Sequence, residues 1–122
     1  MKLINKTKNF VISYEIFIAE SFISRMKGLM LSDKKDLVLV SPREDIIASC
    51  IHMFFMLYPI DVIWLDSTKK VVDLKRRVLP FNPLNPKTWR IYKPRKRAKY
   101  VIELGNGDVK NTEIGDSIEF RI

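Results

Sequence analysis

The stretch Cys50–Asp66, CIHMFFMLYPIDVIWLD, decides how this chain folds. It gathers the only Cys and the only His of the sequence, two Met, an aromatic pair and Asp61 among apolar residues. From Ile46 to Ile60 there is no formal charge. That run is shorter than the ~20 residues a membrane-spanning helix needs. Extending it to Leu65 brings in Pro59 and Asp61, and both oppose a span. The stretch divides instead at Tyr58-Pro59 into two predicted strands, 50–57 and 60–66. Both are apolar on either face, as in central strands covered on each side.

Working outward, MKLIN and then FVISYEIFIA read as strand, turn, strand. In the second run Phe10, Ile12, Tyr14 and Ile16 share one face, while Val11, Ser13 and Glu15 form a wetter one. The period then changes. Phe22, Ile23, Met26, Leu29 and Met30 recur at helical spacing, with Ser21 placed to cap the start and Gly28 to end it. A short strand, DLVLV, follows and is stopped by SPRED. Beyond Asp66 the pattern predicts a hairpin of VIWL and VVDL. A loop follows over 79–94, stiffened by Pro80, Pro83, Pro86 and Pro94. The strand AKYVIELG carries Tyr100, Ile102 and Leu104 on one side. VKNTEIGD reads as a helical turn and SIEFRI as a closing strand. These elements predict a single domain, 1–122, of α+β class and strand-dominated. The expected architecture is a small twisted β-barrel or sandwich with one short helix near residues 21–28.

Composition narrows the class. The chain has 122 residues, 47% apolar and 30% charged, enough apolar surface to offset chain entropy in one folded domain. Its 22 Lys and Arg against 14 Asp and Glu leave a net charge of +8, which favours acidic partners. Gln is absent while Lys is abundant, a trend of heat-adapted proteins. One Cys excludes an internal disulfide, and MKLINKTKNF lacks the apolar core of a signal peptide, so a cytoplasmic location is expected. One Cys and one His do not build a Cys/His zinc centre by themselves.

Three ordered blocks carry a family resemblance. They are SRMKGLML, with Arg25, Gly28, Leu29 and Met30; HMFFMLYPIDVIWLD, with Phe55, Met56, Pro59, Asp61 and Asp66; and AKYVIELGNGDVKNTEIGDSIEF, with Tyr100, Val101, Glu103, Leu104, Gly107, Gly115 and Asp116. In order and spacing they resemble the domain of unknown function 192 family over nearly the whole chain. The resemblance implies a compact strand-rich fold and no particular reaction. Many relatives read Trp-Met-Lys-Asn-Thr in the second block, where this chain has Phe55, Met56, Leu57 and Tyr58. The polar groups of that segment are therefore replaced here.

Four chemistries compete for the remaining residues. Cys50, His52 and Met56 would share one face of a strand and suit a soft metal ion. An extended strand, however, separates Cys50 from Met56 by about 20 Å, so one ion cannot touch both. No metal or cofactor is expected. His52 and Asp61 form an acid–base pair only if folding joins them; no nucleophile turn, phosphate loop or paired-carboxylate motif accompanies them. Asp61 lies among Ile60, Val62 and Ile63 and needs a partner if buried; Arg25 matches a carboxylate in two-point fashion and is the predicted structural tie. In KTWRIYKPRKRAKY, the cations Lys87, Arg90, Lys93, Arg95, Lys96, Arg97 and Lys99 interleave with Trp89, Tyr92 and Tyr100. That is the pattern with which single-strand binders neutralise phosphates and stack bases. Finally, Phe81, Trp89 and Tyr92 could wall a ligand cleft, with Arg90 fixing an anion. The favoured expectation is a binding or accessory module without catalytic residues, with its contact surface on the loop 80–97 and Trp89, Arg90, Tyr92, Arg95, Lys96 and Arg97 as contact residues. Its partner would be acidic, or single-stranded nucleic acid. Arg25, Gly28, Met30, Met56, Pro59 and Asp61 are expected to be structural. An enzyme using His52 and Asp61 is the rival reading.

Overall fold

The computed structural model describes residues 1–21, 27, 29 and 33–121. Its strands are β1 (Leu3–Asn5), β2 (Phe10–Ser13), β3 (Ile16–Ala19), β4 (Asp36–Asp45), β5 (Ile60–Leu65), β6 (Val71–Val78), β7 (Ala98–Leu104) and β8 (Ile118–Glu119), with a 3-10 turn at Pro86–Thr88. Two sheets result, one of order β2-β1-β8 and one of order β3-β4-β7-β5-β6, and neither closes into a barrel. The strand-dominated class is as expected. The predicted helix falls almost wholly outside the described residues; within its range Ser21 and Lys27 are described, and Lys27 is helical. Arg25, Gly28 and Met30 also lie outside them.

β7 is central because it is apolar on both faces. It pairs antiparallel with β4 (Val38 opposite Ile102) and with β5 (Ile63 opposite Ile102). On one face Val38, Ile63, Leu65, Ile102 and Leu104 meet Leu3 and Ile12 of the small sheet, Ile118 and Phe120. On the other, Leu37, Leu39, Val62, Trp64 and Val101 meet Leu29 and a cover made of Ile51, Met53, Met56, Tyr58 and Tyr92. Trp64 is fully buried and its indole N–H donates to the Ser49 carbonyl at 2.7 Å, so no polar atom of the ring is left unpaired.

Several sequence expectations need correcting. The segment 50–57 is not a central strand. It is irregular cover held by an isolated bridge, Ile51 to Tyr92, with hydrogen bonds of 2.8 Å in both directions. Apolar content on both sides marked burial correctly, but burial under a sheet rather than within one. The run 10–19 is broken at Tyr14-Glu15, where the chain leaves the small sheet and enters the large one as β3, parallel to β4. Tyr14, assigned to a buried face, is 72% exposed, and Ser13, assigned to the wetter face, is buried. β4 does not stop at SPRED but continues through it to Asp45, opposite Ala98. VKNTEIGD forms two turns, not a helical turn. The hairpin β5–β6 is as read. Asp66 closes it, its Oδ1 accepting from the backbone N–H of Thr68 at 2.9 Å and of Lys70 at 3.0 Å.

Candidate functional site

The loop 80–97 is pinned along its length. Phe81 donates from its backbone to the Met53 carbonyl at 3.0 Å. Thr88 is buried, its hydroxyl accepting from the Asn82 N–H at 2.8 Å and donating to the Asn85 carbonyl at 2.8 Å. At its far end the Arg95 N–H donates to Asp73 at 3.0 Å, with the guanidinium 3.7 Å from the same buried carboxylate. Proline geometry and these anchors give a rigid loop whose exposed side chains are held in place.

Two chemically different surfaces flank it. On one side the rings of His52, Phe54, Phe81 and Trp89 follow one another, with centroids 5.6, 4.8 and 6.3 Å apart. Trp89 stays 56% exposed although its indole N–H is satisfied by the Asn82 carbonyl at 2.9 Å, and Phe54 is 40% exposed. On the other side lies a groove of about 430 Å³ between the end of β6 and the 3-10 turn. Lys75, Arg76, Arg77, Lys87 and Arg90 line it with Asn85, Thr88 and Tyr92, and among the described residues no carboxylate is in its wall. The guanidinium of Arg90 lies 4.6 Å over the Tyr92 ring, a stacking that leaves its edge donors available.

The groove owes its cations to a bulge. Ile60 faces Val78 but Val62 faces Lys75, so β6 carries one residue too many opposite Asp61. Arg77 takes up the extra length at φ 50°, in the left-handed region. Asp61 holds it there: Oδ1 accepts from the Arg77 N–H at 2.8 Å and Oδ2 from the Val109 N–H at 2.8 Å.

The predicted residues thus divide. Trp89, Arg90, Arg95, Lys96 and Arg97 are exposed on or beside the loop, whereas Tyr92 is buried in the cover. His52 and Asp61 are not brought together. His52 lies on the Val101 side of the large sheet, in a cleft with Arg43 and Cys50, and its Nδ1 accepts from the Phe54 N–H at 3.2 Å. Asp61 alternates along β5 with Ile60 and Val62 and so points to the opposite side. Its two oxygens take backbone N–H groups, and the expected partner Arg25 lies outside the described residues. Met56 is buried in the core and is not part of the cleft lined by Cys50 and His52, and among the described residues no cluster of three or more His, Cys, Asp or Glu could hold a metal ion. Lys75, Arg76 and Arg77 escaped the sequence reading. Lys75 and Arg76 alternate across the strand, with the Arg76 guanidinium on the Lys110 carbonyl, and the bulge inserts Arg77 before Val78. Their one visible signal was the run itself at a strand end.

Three further family-pattern residues, Gly107, Gly115 and Asp116, lie at or next to bends and turns. The backbone N–H of Gly107 donates to Asp36 at 2.9 Å. Gly115 has φ 96°. Asp116 accepts from Asn5 and Lys8, each at 2.9 Å.

Residues 3–120 match the profile of the family DUF192, described as an uncharacterized ACR. A UPF0127 protein of Thermococcus sibiricus is 45% identical over 98% of this chain and 75% of its own length. One from Pyrococcus abyssi is 42% identical over 97% of this chain and 96% of its own length. Two crystal structures share the fold. One is a Sinorhizobium meliloti protein named as a candidate transcription regulator, with TM-score 0.78 and 19% identity over 97% of this chain and 89% of that one. The other is a Novosphingobium aromaticivorans protein of unknown function, with TM-score 0.75 and 17% identity over 98% and 82%.

Proposed function

Since this chain belongs to the DUF192 family, we propose that it is a non-enzymatic binding module for a polyanionic partner, with the loop 80–97 as its contact surface. One observation carries the reading: a loop pinned to the core leaves Trp89 56% exposed next to Arg90, with Lys96 and Arg97 exposed further along it. Exposed aromatics on a fixed scaffold, rimmed by cations, are the usual composition of a contact surface. The net charge of +8 attracts the same class of partner. The placement of His52 and Asp61 on opposite sides of the large sheet favours binding over catalysis by that pair.

Retention on a heparin matrix tests the reading. The wild type should be held at low salt. The triple variant Arg90→Ala, Lys96→Ala, Arg97→Ala should elute markedly earlier than a charge-matched control, Lys2→Ala, Lys6→Ala, Arg121→Ala. Equal elution of the two variants would remove the loop as the contact surface.

A further inference from the structure

The groove between β6 and the 3-10 turn has a more specific chemistry than the loop alone. We propose that it is a phosphodiester site for single-stranded nucleic acid: the strand's backbone runs along Lys75, Arg76, Arg77, Lys87 and Arg90, and a base stacks on Trp89. This rests on the reading of the loop 80–97 as the contact surface and names its partner.

Four features converge. First, five cations line one groove with no carboxylate among its described lining residues, an arrangement whose self-repulsion is relieved by bound anions. Second, the geometry is maintained at a cost. Arg77 occupies the left-handed region at φ 50°, and Asp61 spends one carboxylate oxygen to hold its N–H. Strain of this kind on a charged residue in an edge strand marks a site rather than a structural need, since Gly would serve the bulge without it. Third, Arg90 is oriented by the Tyr92 ring beneath it and Arg77 by its backbone bond to Asp61, while the Arg76 guanidinium is held by the Lys110 carbonyl at 2.9 Å. These side chains therefore lose less freedom on binding than free surface cations do. Fourth, Trp89 lies between Thr88 and Arg90, two residues of the groove wall, while its ring stands on the aromatic side. A chain that places phosphates in the groove reaches the ring by crossing the loop at Thr88–Arg90, which brings an unpaired base onto it. Duplex bases are stacked on one another and cannot use that ring, so the pairing of charge with an exposed indole selects single strands.

The test uses the full chain and a labelled oligouridylate of about ten nucleotides, within the usual footprint of small single-strand modules. Binding should weaken with salt, with log K falling by about 0.7 per phosphate engaged for each unit of log salt. Trp89→Ala should weaken it by about tenfold. The double variant Lys75→Ala, Arg77→Gly should also weaken it and lower the salt slope by about 1.4, because two phosphate contacts are lost. Gly at 77 keeps the left-handed backbone, so an unchanged melting temperature separates lost contact from lost fold. A salt slope unaltered in that double variant overturns the groove, whatever happens at Trp89. Duplex DNA of equal length binding as tightly as the single strand overturns the stacking role. Tripolyphosphate displacing the oligonucleotide at equal phosphate concentration assigns the groove to free oligophosphate and overturns the proposal. Heparin retention that depends on the loop, with no oligouridylate bound at low salt, defeats nucleic acid but leaves the loop reading in place. Loss of both defeats the two together.

Discussion

Asp61 sits where three pieces of backbone meet: its own strand, the β6 bulge and the turn that begins at Val109. Its value to the fold is in the two N–H groups it accepts, one of them on fully buried Val109. Truncation to Ala would strand that donor and release the bulge. Asp61→Ala should therefore lose about 2–4 kcal/mol in chemical denaturation, and Asp61→Asn less, since an amide oxygen still accepts one bond. A loss below about 0.5 kcal/mol would mean that water replaces the carboxylate at both sites. Arg77 gives the complementary test. Its left-handed backbone costs an L-residue about 1–2 kcal/mol, so Arg77→Gly should leave stability level or raise it slightly, against the usual trend for Gly in a strand. The sequence marked Asp61 as an acid among Ile60, Val62 and Ile63 that needs partners. It could not name them, since backbone donors carry no signature in residue identity.

At the scale of elements, β5, β6 and β7 were legible because their alternation and turn residues agree. Tyr100, Ile102 and Leu104 do share a core-facing side, and the turn after Asp66 is capped by Asp66 itself. The cover segment was not legible as such. Residues 50–57 are as apolar as a central strand, and periodicity alone cannot separate a buried strand from buried irregular chain. What separates them is hydrogen bonding. Its backbone finds single partners in the proline loop, as at Ile51–Tyr92 and Phe81–Met53, rather than a ladder. The same fact moves Tyr92 out of the contact surface: a ring placed there by sequence lies in the core, 9% exposed. Tyr92→Ala should then cost about 3–4 kcal/mol and loosen the whole cover, a loss readable as faster amide exchange at Ile51 and Phe81. Tyr92→Phe should change neither stability by more than about 1 kcal/mol nor retention on heparin, because the ring and not the hydroxyl supports Arg90. Of the candidate site, the loop cations and Trp89 were visible as composition. The groove was not, because it depends on where a register shift falls.

For the whole molecule, buried acids set the pH of greatest stability, and they pull in opposite directions. Burial alone would raise Asp116, but the bonds from Asn5, the Glu113 N–H and Lys8 outweigh it and hold its carboxyl below the usual 3.8. That stabilisation is complete above pH ~4 and is lost as pH falls through the lowered value. Glu103, on central β7, behaves in the reverse sense. It lies between Leu37 and Val62 on the covered face, 4% exposed, and its Oε1 has no hydrogen-bond partner among the described residues. Burial pushes it from 4.5 up to about 7, against the one bond from the Leu29 N–H. The folded chain therefore holds this proton more tightly than the unfolded chain does. Stability should be greatest at and below the unfolded value, decline steadily as pH rises from about 4.5 to 7, and level off above 7, for a total on the order of 3 kcal/mol. The expected maximum lies near pH 4–5, on the acid side of the common range of roughly 5–8. Glu103→Gln has no proton to lose there. Its denaturation midpoint should stay flat from pH 5 to 8 and exceed that of the wild type at pH 8, while matching or trailing it at pH 4. A wild-type midpoint that rises across the same interval would mean that the carboxylate is stabilised as an anion, and that a cation reaches it in the folded state.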